Sequence, residues 1–553
     1  MNFIYIKNLV PAAAFCLSLG FSSCIGDLDV SPIENEEGTT TMTPNNDALF
    51  NKCYANMVLA GQGGPDSNDC DIEDLDGGTT GFVRQLFNAN ELTTDHAICC
   101  WGDEGIPAFN FNQWSASHPM LKGFYYRLYF GVTICNYYLE VAANEDVQKL
   151  AEIRFLRALY YYHLMDGWGN IPFLTTVSSE PAPQASRQEV YNFIETELTE
   201  IESQLAAPRT NTYGRVDQAA AWMLLARLYL NAEVYTGTAQ WQKASDYAFK
   251  VMNSGYSLSK EASGEWSAYQ KLFMADNDTN GAQVEAILPL IQQGNEAAAY
   301  GCFFFLMQST VHKHLKTVGG RYFGSSDGAW AGNRARPNLV WKFFPTQTEE
   351  QITGLNVEQM VALAGDDRAI LSSIFDGVDD DPNLKPEEIE KERYGQLNVE
   401  NVSKFKHGFT VAKFNNIRTD GGTTSDPKFN DSDFFLMRAA EAWLTYAEAE
   451  TRLGNPDKAK VAIDEIRTRA NASLQPAYSL DFILDEWSRE FYFEGRRRID
   501  LVRFNSFGGN TDYNWDWKAG VANGTSFDAK YNILPLPVSD MNANSNLVQN
   551  PGY

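Results

Sequence analysis

The chain has 553 residues, 44% of them hydrophobic, and a formal net charge of −27. That length supports a large core, and the acidity excludes a nucleic-acid partner, because phosphate contacts need a basic footprint. Aromatics make up 13%, with 12 Trp and 26 Tyr, a supply of flat faces suited to sugar rings once the core is filled.

Residues 1–23 read as an export signal, with Lys7 as the one charge ahead of an apolar run over 9–21. The run is too short for a spanning helix. It ends Phe21-Ser22-Ser23-Cys24, small residues before a cysteine, which resembles a bacterial lipoprotein cleavage box with Cys24 as the acylated terminus. Residues 24–44 are polar and acidic and read as a tether. Cys53, Cys70, Cys99, Cys100, Cys135 and Cys302 are too sparse for a disulfide scaffold, and no C-x-x-C spacing offers a zinc cluster.

From residue 45 to 553 the pattern is that of one mainly α unit. Helices are expected over 46–59 and 125–143. The next, 151–166, carries Ile153, Leu156, Tyr160 and Leu164 at helical spacing with a second apolar stripe, so it should be buried on most sides. Arg154 and Arg157 must then find partners, and Gly167, Gly169 and Pro172 stop the helix. A helix over 188–205 precedes a pair, 218–231 and 241–253, whose alanines mark a tetratricopeptide-like hairpin. A second such pair is expected at 435–453 and 456–470, too far along for a regular solenoid. A strong helix over 485–504 is broken or bent at Gly495, and 532–553 is extended. The helical scaffold is thus expected at about 45–254 and 434–505, and a loop-rich binding part at about 255–433 and 506–553.

Three motifs bear on chemistry. Gly324-Ser325-Ser326-Asp327-Gly328 matches G-x-S-x-G, but Gly332 and Pro337 deny it the following helix that a nucleophile elbow needs. His312 and His314 could share a strand face, though solvated histidines are expected. Asp276, Asp278, Asn280 and Gly281 match the first half of a calcium loop, D-x-[DN]-x-[DN]-G. Ile287 stands where the closing Glu belongs, which excludes an EF-hand and leaves a Ca²⁺ site completed from elsewhere or a plain Asx-rich turn. Carboxylates placed for glycoside hydrolysis cannot be recognised without their spacing across a cleft.

RFLRALYYYHLMDGWGNIPF, EWSREFYFEGRRRIDLVRF and the closing LPLPVSDMNANSNLVQNPGY together resemble the SusD/RagB family of outer-membrane nutrient-binding lipoproteins of Bacteroidetes. CIGDLDVSPI, FNANELTTD, FMADNDTN and WDWKAGVANGTS bring the likeness nearest to the starch-binding member of that family. The resemblance implies tetratricopeptide-like helix pairs with irregular segments on one side. It implies a non-catalytic, lipid-anchored surface protein that passes starch-type oligosaccharides to a TonB-dependent transporter. The implied glycan-binding residues are the aromatics Trp101, Tyr300 and Trp330 with the polar Asp76 and Arg84. One further arc aromatic falls on Cys99, and an asparagine contact falls in a gap near Glu104. The implied calcium ligands fall on Asp278 and Asp433. A different polysaccharide in the same role is the first alternative, and a glycoside hydrolase on a helical scaffold the second.

Overall fold

The computed structural model describes residues 45–65, 69–312, 315, 321–375 and 394–553. The export signal, Cys24, the tether and His314 lie outside the described residues.

The chain opens with α1 (Asn46–Ala55), α2 (Gly77–Thr80), α3 (Phe82–Phe87) and the short strand β1 (Ala97–Cys99). Two long helices follow, α4 (Pro119–Val141) and α5 (Val147–Trp168), packed together. The second is the expected central helix. Asp146 caps its start through the Gln148 and Lys149 N–H groups, and Gly169 at φ 70° closes it. It runs through Gly167 because that glycine keeps helical backbone, so the stop falls two residues later than Gly167. Ile153, Leu156, Tyr160 and Leu164 are all fully buried. Gly131 of α4 makes room for Tyr160, since a β-carbon there would lie 2.5 Å from its ring. The two arginines find carboxylates: Arg154 and Arg157 both donate to Glu197 of α6 (Arg187–Ile201).

The first hairpin, α7 (Gln218–Leu230) and α8 (Trp241–Met252), forms as expected. The loop-rich stretch that follows carries β2 (Ala286–Leu290), α9 (Phe303–Thr310) and β3 (Asn333–Ala335). The second hairpin is α10 (Ala440–Arg452) and α11 (Pro456–Arg469), and α8 packs directly on α10. The two hairpins are therefore neighbours in space, and the loop-rich stretch is an excursion between stacked pairs. The start of the expected helix 435–453 is instead a strand, β4 (Phe434–Arg438), antiparallel to β2. All five of its residues are buried, so it follows the ladder offered by β2 rather than helical periodicity. The block 485–504 is broken as Gly495 suggested, into α12 (Leu480–Phe491) and α13 (Arg497–Arg503). Gly495 has φ 79°, and the Gly495 and Arg496 N–H groups donate to Glu91 Oε1 at 2.8 and 2.9 Å. Asn46–Tyr553 form one compact unit.

A buried ionic network joins the excursion to the scaffold. Glu490 of α12 meets Arg368 at 3.2 Å, Arg438 at 2.7 Å and Arg469, and all four side chains are fully buried. Glu285 bridges Arg438 and Arg469 at 2.9 Å each, Glu486 takes Arg368 and Arg467 at 2.8 Å, and Glu494 takes Lys413 at 2.6 Å. Burial penalises these carboxylates, yet the surrounding guanidinium charges win and hold Glu490 well below the usual range and Glu486 at about 2.

Removing one partner strands the others in a dry interior. Glu490→Gln should therefore cost ~3–5 kcal/mol of unfolding free energy in a denaturant titration. With folded values depressed from the ordinary 4.5, the contribution is full above that value and should be lost as pH falls toward 2. A variant as stable as the wild type would show that the network is not what joins the two parts.

Candidate glycan-binding site

Two strands set the tryptophans side by side. β1 and β3 pair antiparallel with Cys99 opposite Asn333, and Cys100 N–H donates to Gly332 O at 3.0 Å. Trp101 leaves the end of β1 as Trp330 enters β3 from the other side, so the ladder delivers both rings to one edge. Their centroids lie 6.5 Å apart at 56°. Gly332 is required here by close approach: a β-carbon would sit 2.0 Å from the Trp101 indole. Trp330 is tied down through its N–H, which donates to Gln308 O of α9 at 2.8 Å.

Tyr300 arrives by a different route. Gly301 crosses the backbone of Gly77 and Gly81 so tightly that β-carbons on either side would fall about 2 Å from a carbonyl. Arg84 N–H donates to Gly301 O at 3.1 Å. This crossing fixes Tyr300 against α2 and α3, where it stacks on Trp330 at 6.2 Å and 30°. Lys428 Nζ donates to its hydroxyl at 2.5 Å. Phe304 and Phe305 of α9 form the floor, edge-on to Trp330 at 5.7 Å and to Trp101 at 5.8 Å respectively. The three expected aromatics therefore form one row with Trp330 in the middle. Each is half-buried, and neither indole N–H has a partner among the described residues. They are floored by core residues but are not themselves core.

The polar residues sit together beside the row: a β-carbon on Gly78 would lie 2.9 Å from Asp76 Oδ1 and 3.0 Å from the Arg84 guanidinium. The Arg84 guanidinium lies 4.6 Å over the Phe305 ring and donates to Asp103 at 2.8 Å. Asp76 caps α2, accepting from the Thr79 N–H and hydroxyl at 2.8 Å each. Burial opposes its charge, but these bonds hold the carboxyl below the usual range. Asp76 and Tyr300 line a cleft of about 330 Å³. Cys99 is not on this surface. Its side chain is buried in the β1–β3 ladder, and burial pushes the thiol up to about 12. Glu104 is exposed beside Asp103. Asp103, Phe305, Lys428 and Gly332 were missed by sequence reasoning, although Asp103 and Gly332 each lie two residues from a named tryptophan.

The other candidates are placed as follows. Ser326, the serine of the elbow motif, lies in a loop with its N–H on Pro427 O and no helix after it. His312 packs on Phe375 at 3.8 Å. Asp276 accepts from the Thr419 hydroxyl at 2.7 Å and from Asn280 at 3.1 Å, and Asn280 also accepts from Ala282 N–H. These two therefore serve the turn itself. Asp278 is exposed. Asp433 is buried, accepting from Gln292 N–H and the Tyr213 hydroxyl at 2.8 Å each. Burial, then the charges of Asp278 and Asp431, lift its carboxyl to about 7. Among the described residues no group of three or more His, Cys, Asp or Glu is arranged to hold a metal ion.

Residues 343–553 match the family model described as the SusD family, and 28–230 match that described as starch-binding associating with outer membrane. The starch-binding protein SusD of Bacteroides thetaiotaomicron is 39% identical, with 99% of each chain covered. The chain belongs to the SusD family. Within that family, the SusD-like protein P38 of Formosa agariphila is 24% identical over 65% of this chain and 67% of its own. Among solved structures, a SusD-like protein from Bacteroides fragilis superposes with a TM-score of 0.66 at 19% identity, covering 92% of this chain and 98% of its own. A surface glycan-binding protein A from B. thetaiotaomicron, in complex with laminarihexaose, gives 0.61 at 18%, covering 91% and 98%. These likenesses confirm the SusD-like fold. Two of these relatives, the starch-binding protein SusD and the surface glycan-binding protein A, are named as binding proteins. No helix among the described residues is long and apolar enough to cross a membrane.

Gly332→Ala tests how the row is built. The added methyl should push Trp101 off its seat and change the near-ultraviolet circular dichroism of the paired indoles. An unchanged aromatic spectrum would show that Trp101 does not rest on Gly332.

Proposed function

We propose that this protein is a non-catalytic surface protein that binds starch-type α-glucan on the row Trp101–Trp330–Tyr300. Arg84 and Asp76, which lie side by side across Gly78, hold sugar hydroxyls beside it. The observation that carries the reading is the row itself: three half-buried rings, two of them tryptophans whose indole N–H has no partner among the described residues, in a relative of a protein named for binding starch. Sugar C–H faces lie on such rings, and hydroxyls bridge guanidinium and carboxylate groups. A row fixed before binding loses little ordering entropy. Asp76, held below the usual range, is not poised as a general acid, which needs a raised pKa. Acylated Cys24 would anchor the protein, and a TonB-dependent transporter of the outer membrane would receive the glycan.

A Ca²⁺ ion on Asp278 and Asp433 is proposed as a structural part. The unmet repulsion at buried Asp433 supports it. The Asn277 side chain already joins the same loop to the Asp433 backbone at 2.9 and 3.0 Å, and Asp276 and Asn280 shape that loop.

Trp330→Ala should weaken amylopectin binding tenfold or more in affinity gels, about 1.4 kcal/mol, and leave the melting temperature nearly unchanged. Unfolding of that variant would make Trp330 core, and binding of a β-linked or fructose polymer in place of amylopectin would keep the role and change the substrate. Cys24→Ala should release the protein from the membrane fraction; unaltered fractionation contradicts the anchor. Chelation should lower the melting temperature, since an ion bound by the folded state alone stabilises it, and Asp433→Asn should abolish that response. No shift with chelator, and no calcium by elemental analysis, would remove the ion.

A further inference from the structure

A second groove lies on the helical scaffold and shares no residue with the aromatic row. It has a volume of about 420 Å³, within the roughly 300–1,000 Å³ of small-molecule sites. One wall is α4, which contributes Tyr125, Tyr126 and Tyr129. The opposite wall is the segment 172–182, whose Thr176, Ser178 and Ser179 are exposed at the rim. The end is closed by Asp540 of α14 (Val538–Ala543).

The groove is rigidly built. Tyr129 donates its hydroxyl to Pro172 O at 2.7 Å, and Asn136 Nδ2 donates to Leu174 O at 3.1 Å, so the segment 172–182 is held to α4. Asn544 Nδ2 donates to Ala182 O at 2.8 Å, holding the end of α14 to the same segment. The Tyr125 and Tyr129 rings sit 4.7 Å apart, and Tyr126 and Tyr129 are half-buried.

Asp540 is the unusual member. Its Oδ2 accepts the Tyr125 hydroxyl at 2.5 Å. Among the described residues no lysine or arginine pairs with it, and Oδ1 has no hydrogen-bond donor. Burial lifts its pKa. A carboxylate oxygen with no protein donor is an acceptor open to a ligand hydroxyl in a tyrosine-lined space. Lys122 Nζ lies 5.6 Å over the Tyr126 ring, so a protein ammonium already occupies that cation–π position. The Tyr126 and Tyr129 rings, a rim of serine and threonine hydroxyls and the carboxylates of Asp540 and the exposed Glu180 match a neutral polyol, which needs stacking, donors and acceptors together.

We propose that this groove is a second carbohydrate site, taking two or three hexose units of a neutral oligosaccharide, with Asp540 Oδ1 as the hydroxyl acceptor. The choice of α-glucan as its ligand rests on the starch reading of the aromatic row; the groove's own chemistry does not. A second, weaker site on one chain would raise the local concentration of a long polysaccharide without new contacts at the row.

Maltotriose is the probe, followed by saturation-transfer NMR on the full chain, with melting temperatures to confirm folding. Trp330→Ala should keep a weak saturable signal from the groove. Adding Asp540→Asn, which can still accept from Tyr125, should cut that signal at least fivefold, and Tyr126→Ala in place of Asp540→Asn should do the same. Equal signals from Trp330→Ala and Trp330→Ala/Asp540→Asn, or no signal from Trp330→Ala alone, would overturn the second site. So would displacement of maltotriose by tetramethylammonium. If instead Trp330→Ala binds as the wild type does while Asp540→Asn loses binding, the groove stands and the row is misassigned.

Discussion

Glu490, buried among Arg368, Arg438 and Arg469, is the interaction on which the rest of the structure depends. Arg368 comes from the loop-rich excursion, Arg438 from the end of β4, Arg469 from the last turn of α11 and Glu490 from α12. Four distant segments must therefore meet at one point or leave charge unpaired in a dry interior, which is far more costly than any single lost contact. Glu285 and Glu494 extend the demand to the strand β2 and to Lys413. Such a network adds little net stability over a well-packed apolar core. What it supplies here is a single permitted arrangement of a long irregular segment on a helical scaffold.

That arrangement makes the aromatic row possible. The excursion returns to the scaffold through β2 and β4, and between those anchors it carries Tyr300, α9 and Trp330. Two local constraints then place the rings: the β1–β3 ladder, which sets Trp101 beside Trp330, and the glycine crossing at Gly77, Gly81 and Gly301, which sets Tyr300 beside α3. Both use glycine for close backbone approach rather than for a turn. The rings are thus held by backbone geometry, each half-buried above Phe304 and Phe305. A rigid aromatic surface of this kind selects a ligand by shape.

Most of the helices were legible because their apolar spacing is strong and their caps are explicit, as in Asp146 and Gly169 around the central helix. The segment 435–438 misled because a fully buried strand beside a helix has no period of its own and reads as the helix's first turn. The stacking of the two hairpins could not be read, since it depends on α8 meeting α10 across the excursion. The row of Trp101, Tyr300 and Trp330 came from family resemblance; what no sequence pattern gave was its support. Asp103 pairs with Arg84, Lys428 with Tyr300, and Gly332 seats Trp101, and each is a contact between residues far apart in the chain or visible only once the ladder is formed. Cys99 shows the converse: the family resemblance set it in the arc, while its place in a fully buried strand takes its side chain inside.

The site therefore joins a fixed aromatic row to a fold whose relatives are named for binding glycans. The most direct test is a crystal structure of the protein with maltoheptaose. Successive glucose rings should lie on Trp101, Trp330 and Tyr300, with hydroxyls within hydrogen-bond distance of Arg84 and Asp76. Clear density for the oligosaccharide elsewhere, with the row bare at saturating ligand, would contradict the account.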